Sequence, residues 1–288
     1  MKTIAIIGSS GTNARPWTDA FLRAGWHIRS LVRDPLKIES RPHLTATAFD
    51  FSDPQSHAPA LAGVDVLALI SPAQPNQVAW ESALIAAAQR AAVGGIIKLS
   101  VLGAEMNAPI SFFARNAAQT EQILRASGMP HVILRANGFM QNLLRQRAAI
   151  EAGNFIEPSG TTAASRIDVH DLADVAVASR RFDGRALTLT GPAALTVRPD
   201  GRNTLRRSGQ ACALYLAAAP AIPRRPGRAR LAGMADRCLR RATRGGAGRR
   251  APHLAVVTKD VEANTGRPPR SFAQFAQREF GRSKQHPL

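Results

Sequence analysis

Ile4-Ala5-Ile6-Ile7-Gly8-Ser9-Ser10-Gly11-Thr12-Asn13-Ala14 is the stretch that decides the fold. A continuous apolar run stops at Gly8, turns through small residues and opens a helical pattern. That is the order of a buried strand, a tight turn and a helix. Small residues recur at Gly8, Gly11 and Ala14. Gly8 lets the chain leave the strand sharply. Gly11 lets the backbone approach a pyrophosphate, whose charge then rests on the N–H groups at the helix start, and Ala14 lets the helix pack close to the strand. An ordinary glycine-rich turn has the same spacing. Placement between a buried strand and a helix favours the dinucleotide reading.

Strands and helices alternate outward from this start. Pro16 sits near the start of the first helix and Gly25 ends it. His27–Val32 is the second predicted strand, and Arg33 stands at its end. An acidic residue there would bind a ribose 2′-hydroxyl. An arginine suits a 2′-phosphate, which a guanidinium pairs bidentately, with Lys37 close by. A solvated surface arginine is the plainer alternative. Leu44–Phe49 is a third strand, followed by Asp53-Pro54 as a helix start with Asp53 as its cap. The fourth strand runs over 65–70 and ends in Ser71-Pro72, at the carboxyl edge where open α/β sheets bind ligands. A helix over 76–93, a strand over 96–99, a helix over 114–127 and a strand over 131–134 follow. Asn137 and Phe139 lie just past that last strand and are pocket candidates. A turn asparagine and a core aromatic explain them equally well. A helix is expected over 140–152, another over 172–178 with Asp171 as its cap, and a last strand over 186–190. His170 reads as structural. The alternation predicts a parallel sheet covered on both faces.

The 288 residues carry a net charge of +18, distributed unevenly. Residues 1–196 hold 18 Lys/Arg against 15 Asp/Glu, whereas residues 197–250 hold 14 Arg, no Lys and 2 Asp. That Arg/Pro/Gly-rich segment also holds Cys212, Cys238 and the only tyrosine, Tyr215. Two cysteines make no disulfide framework. The apolar run before Gly8 is too short for a signal peptide, and no run has the length of a membrane span. A cytoplasmic protein without a membrane partner is therefore expected. No P-loop, G-x-S-x-G, C-x-x-C or H-E-x-x-H motif is present, so no metal site is expected.

The pattern resembles the NmrA-like branch of the atypical short-chain dehydrogenase/reductases, near its NAD(P)H azoreductase and quinone oxidoreductase members. Ile7-Gly8-Ser9-Ser10-Gly11-Thr12, Leu31-Val32-Arg33-Asp34-Pro35, Asp50-Phe51-Ser52-Asp53-Pro54, Leu69-Ile70-Ser71-Pro72, Ile97-Lys98-Leu99-Ser100 and the run Ile133–Asn142 carry the resemblance. Val257–Val261 and Thr265–Phe272 match the family's C-terminal signature. The resemblance implies a Rossmann-like, doubly wound parallel sheet with a small C-terminal substrate lobe. It puts Gly8, Ser10, Gly11, Thr12 and Asn13 on the pyrophosphate, Arg33 on the 2′-phosphate and Asp50-Phe51 beside the adenine. Ile70-Ser71 meet the nicotinamide half, and Asn137-Gly138-Phe139 the nicotinamide or substrate. NADP(H) is favoured over NAD(H). The implied function is hydride transfer to a quinone, azo or similar electron-poor small molecule. The alternatives are a non-catalytic NAD(P)-binding sensor of the NmrA type and a nucleic-acid binder acting through 197–250.

The chain departs from the family in two places. The Tyr-x-x-x-Lys pair of classical members is missing from Phe112-Phe113-Ala114-Arg115-Asn116-Ala117, and atypical relatives often carry Lys or His near the position of Ala117. No catalytic acid is assigned; the proton can come from water or a polar side chain. The family pattern also stops near Thr196 and resumes near Leu254. Three units follow: 1–196 as the NAD(P)-binding domain with part of the substrate lobe, 197–250 as an atypical segment read as a shifted coding frame, and 251–288 as the C-terminal family segment. A genuine basic arm is the rival for 197–250, but its lack of lysine and single aromatic argue against one. The oligomeric state stays open.

Overall fold

The apolar run Thr3–Ile7 forms β1, with residues 4–7 buried. In the computed structural model, residues 1–9, 11–107, 109, 111–148, 163–179, 181–195 and 252–280 are described. The segment 197–250 and its two cysteines lie outside them, as does Ser10. After β1 come α1 (Arg15–Arg23), β2 (His27–Val32), β3 (Leu44–Ala48), α2 (His57–Leu61), β4 (Val66–Leu69) and α3 (Gln77–Arg90). Then follow β5 (Gly95–Val101), α4 (Phe112–Ala126), β6 (His131–Ala136), α5 (Val169–Ala178) and β7 (Ala186–Leu189). The return segment adds α6 (Asp260–Thr265) and α7 (Phe272–Phe280).

The seven strands pair in the order β3-β2-β1-β4-β5-β6-β7, every pair parallel. The doubly wound reading therefore holds. The central strands β1 and β4 are buried on both faces, so Ile4–Ile7 and Val66–Leu69 read as unbroken apolar runs. Ile4, Ile6, Ile28, Val132 and Leu134 pack with Trp17 and Phe21 of α1 and Leu172 and Val175 of α5 on one face. Ala5, Ile7, Leu67, Leu69 and Ile133 pack with Leu61, Leu84 and Leu124 on the other. Each fully buried Ile, Leu, Val or Phe among them contributes about 1.5–3 kcal/mol. No helix among the described residues is long and apolar enough to cross a membrane.

Three local expectations change. Met140–Gln146 is a 3₁₀ helix, and residues 149–152 lie outside the described residues. Its buried Met140 and Leu143 stand three apart, the period of a 3₁₀ turn. The cap of α5 is Asp168, whose carboxylate accepts from the His170 N–H at 3.0 Å. Asp171 falls inside the first turn and binds Arg270 instead. Asp53 does cap, accepting from Gln55 N at 3.0 Å, but the element it opens is the 3₁₀ turn Pro54–Ser56 ahead of α2.

The return segment docks on the β6–β7 side of the sheet. Asn137 Nδ2 donates to Leu254 O at 2.8 Å, and Thr258 N donates to Thr190 Oγ1 at 3.0 Å. Asp260 accepts from Thr188 N at 2.7 Å, and Arg278 on α7 pairs with buried Asp168 at 2.7 Å.

Candidate dinucleotide groove

The strand order reverses between β1 and β4, and a crevice opens outside their carboxyl ends. Its wide part, about 1010 Å³, is bounded by Gly8, Gly11, Arg33, Asp50, Phe51 and Trp80. Its narrow part, about 450 Å³, is bounded by Thr12, Asn13, Ile70, Ser71, Asn142 and Arg145. Ile7, Gly8, Gly11 and Pro72 belong to both, so the two parts are continuous across the first turn.

The turn itself is tight. Gly8 adopts φ +61°, in the left-handed region, and its carbonyl accepts from Gly11 N at 2.8 Å. A Cβ on Gly11 would stand 3.2 Å from that carbonyl. Ser9 turns inward, with its hydroxyl against that of Ser30. No side chain caps α1, and Pro16 removes one of the N–H groups that would need a partner.

Arg33 is exposed at the wide end and makes no hydrogen bond or ion pair with another described residue. The neighbouring acid is occupied: Asp34 accepts from Leu36 N at 3.2 Å and pairs with Lys37 at 3.3 Å. Asp50 accepts from the Ser52 N–H and hydroxyl at 2.8 and 2.6 Å. Those bonds, aided by nearby Arg33, hold its carboxyl below the usual carboxylate range. Phe51 stacks on Trp80 with ring centroids 5.7 Å apart and an interplanar angle of 14°.

The structure thus brings Gly8, Gly11, Thr12, Asn13, Arg33, Asp50, Phe51, Ile70 and Ser71 to one groove. Asn137 and Phe139 do not line it. Strand β6 runs on through Ala136, and Asn137 is buried with its amide nitrogen on Ser165 Oγ at 2.9 Å and on Leu254 O. Phe139 packs against the core. Ala117 is buried on α4, and among the described residues the Arg115 side chain reaches only Pro109 O, at 3.4 Å. Glu121 is fully engaged, with Arg135 bidentate at 3.0 and 2.6 Å and Ser100 Oγ at 2.6 Å. Burial alone would raise its pKa, but Arg135, Ser100 and Arg125 outweigh that and lower it. Trp80, Gln141, Asn142 and Arg145 line the groove without having been named as site residues, although Gln141 and Asn142 fall in the run that carries the resemblance. The signal available for the last three was their place just beyond β6.

A parallel sheet with a glycine turn at its switch point, an open helix start and a free cation beyond β2 defines a dinucleotide-binding protein. The chain belongs to the NAD(P)H-binding family, which its residues 8–180 match. Its relatives include the NAD(P)H azoreductase of Xenophilus azovorans, 32% identical over 289 residues that cover 95% of this chain and 96% of the relative. Quinone oxidoreductase 2 of Escherichia coli is 28% identical over 216 residues, covering 72% and 75%. Among solved structures, the NADPH-dependent quinone oxidoreductase of Escherichia coli complexed with NADPH superposes with a TM-score of 0.72 at 24% identity, over 96% of this chain and 99% of that one. The triphenylmethane reductase of Citrobacter sp. complexed with NADP(H) gives 0.71 at 17%, with the same coverage. At these identities the two structures speak for the fold. The groove fits the family's dinucleotide: Gly11 keeps a side chain out of the cradle, and the wide end offers both a flat aromatic wall and a cation.

Proposed function

We propose that the protein is an NADPH-dependent oxidoreductase that passes a hydride to a quinone, azo or similar electron-poor acceptor. The observation that carries the NADPH preference is Arg33, exposed in the wide part of the groove with no hydrogen bond or ion pair to a described residue, beside an acid already committed to Lys37. A free guanidinium gains most from a phosphate, whereas a 2′-hydroxyl would need a free carboxylate. The reductase reading is supported by the azoreductase and quinone oxidoreductase relatives.

In this reading the dinucleotide supplies the hydride. The chain's own residues bind and orient. The Gly8–Gly11 turn and the start of α1 hold the diphosphate, and Arg33 holds the 2′-phosphate. Asp50, Phe51 and Trp80 form the adenosine wall. Ile70, Ser71, Asn142 and Arg145 border the end where the acceptor enters. Glu121 is spent on Arg135 and Ser100, which leaves water or another polar side chain as the source of the acceptor's proton.

The test is oxidation of NADPH and NADH by the purified full chain, with and without a simple benzoquinone and a neutral azo dye. Acceptor-dependent oxidation with a preference for NADPH is expected. Tight NADPH binding without turnover would overturn the enzyme reading in favour of a redox sensor.

A further inference from the structure

Behind the narrow end of the groove lies a line of polar side chains drawn from four parts of the fold. Ser71 follows β4, Gln77 and Glu81 lie on α3, Lys98 is on β5 and Asn116 on α4. All but Ser71 are buried, Glu81 and Lys98 completely. Their bonds run in one direction. Lys98 Nζ lies 2.5 Å from Glu81 Oε2. Ser71 Oγ donates to Glu81 Oε1. Gln77 Nε2 donates to Glu81 Oε1 at 2.9 Å and to Ser71 Oγ at 3.2 Å. Asn116 Nδ2 donates to Gln77 Oε1 at 3.5 Å, which keeps the nitrogen of Gln77 facing Ser71 and Glu81.

This order sets the polarity of Ser71. A hydroxyl has one hydrogen and two lone pairs, and an ionised carboxylate only accepts. Burial would raise the pKa of Glu81, but the Lys98 ammonium and the donors Ser71 and Gln77 outweigh it and lower it. The single hydrogen of Ser71 is therefore committed inward. Gln77 takes one lone pair, and the other is all that remains for the groove that Ser71 lines.

We propose that Ser71 is a fixed hydrogen-bond acceptor at the narrow end, held in that polarity by Glu81, Lys98 and Gln77, and that it takes the carboxamide N–H of the nicotinamide. The proposal rests on the NAD(P)H reading of the groove. It makes Ser71 a binding residue and the three behind it positioning residues. It also withholds the Ser71 hydrogen from the reacting acceptor.

The test compares NADPH with its 3-acetylpyridine analogue, in which a methyl group replaces the carboxamide nitrogen. Dissociation constants are measured by calorimetry on the full chain, so no turnover is needed. Ser71→Ala is expected to weaken NADPH about 5–10-fold, the worth of one hydrogen bond, and to leave the analogue within about 2-fold. Ser71→Thr, which keeps the hydroxyl, restores NADPH binding. In Glu81→Gln the new carbonyl turns to Lys98 and the new amide donates to Ser71, turning the Ser71 hydrogen toward the groove. That variant should weaken NADPH at least as much as Ser71→Ala does. Equal losses for both ligands in Ser71→Ala overturn the carboxamide assignment. No loss for either overturns Ser71 as an acceptor. Wild-type protein that binds neither ligand overturns the cofactor reading itself, a result distinct from both.

Discussion

The two ends of the groove are built in opposite ways. The wide end is made from residues that directly follow strands: Arg33 after β2, and Asp50 and Phe51 after β3. Its cation is exposed and left free. At the narrow end Arg145 is exposed as well, but the charges that control Ser71 are buried on α3 and β5. An exposed free charge is available to a ligand. A buried charge is already spent on its partner and acts only through what it holds in place.

That contrast can be broken experimentally. The largest expected effect is on stability. Lys98→Met leaves the Glu81 carboxylate buried without its cation, which costs about 3–5 kcal/mol. Urea unfolding measures it, and adding Glu81→Leu to the same chain should recover most of the loss. A drop below about 1 kcal/mol would show that the narrow end does not depend on the pair.

Next comes Arg33→Ala, which should leave stability alone and weaken NADPH about 10–100-fold while NADH changes little. Equal losses for the two cofactors would remove Arg33 from phosphate recognition. A smaller effect is expected at the turn that joins the two ends. Gly8→Ala places a side chain at φ +61°, at a cost of about 1–2 kcal/mol in unfolding free energy. An unchanged urea midpoint would show that the turn relaxes without strain.

The smallest signal is pH dependence between pH 5 and 3.5, the first part of carboxylate titration. The pKa values of Glu81, Glu121 and Asp168 are lowered in the fold, so their stabilisation is full above the unfolded value near 4 and is lost as the pH falls toward the folded values. Burial raises the pKa of Asp171, against Arg270, so its contribution has the opposite sign and offsets part of the loss. A urea midpoint that falls with pH is expected. A flat or rising one would contradict these pairings.

Most of the wide end was legible in the chain because its parts after β1, β2 and β3 are local, whereas Trp80, on α3, was not. An apolar run, a glycine at the strand end and an arginine after the next strand are neighbours in sequence, and steric and charge rules act on neighbours. Asp53 was legible as a cap for the same reason. Asp168 and Asp171 were not told apart, because both sit near the start of α5 and each is claimed by a distant arginine, Arg278 for Asp168 and Arg270 for Asp171. Asn137 read as a pocket residue and lies inside, because Ser165 and Leu254 supply acceptors that no local pattern reveals.

The sequence alone determined the alternation of strands and helices, the glycine turn at the first switch, the arginine after the second strand and the family these define. Tertiary structure decided which polar groups remain open to the groove. Ser71, Glu81, Lys98 and Asn116 are separated by ten residues or more, and their hydrogen bonds exist only once α3, β5 and α4 are packed together. A buried polar group must find a partner wherever the fold supplies one, and only the folded chain determines which partner that is.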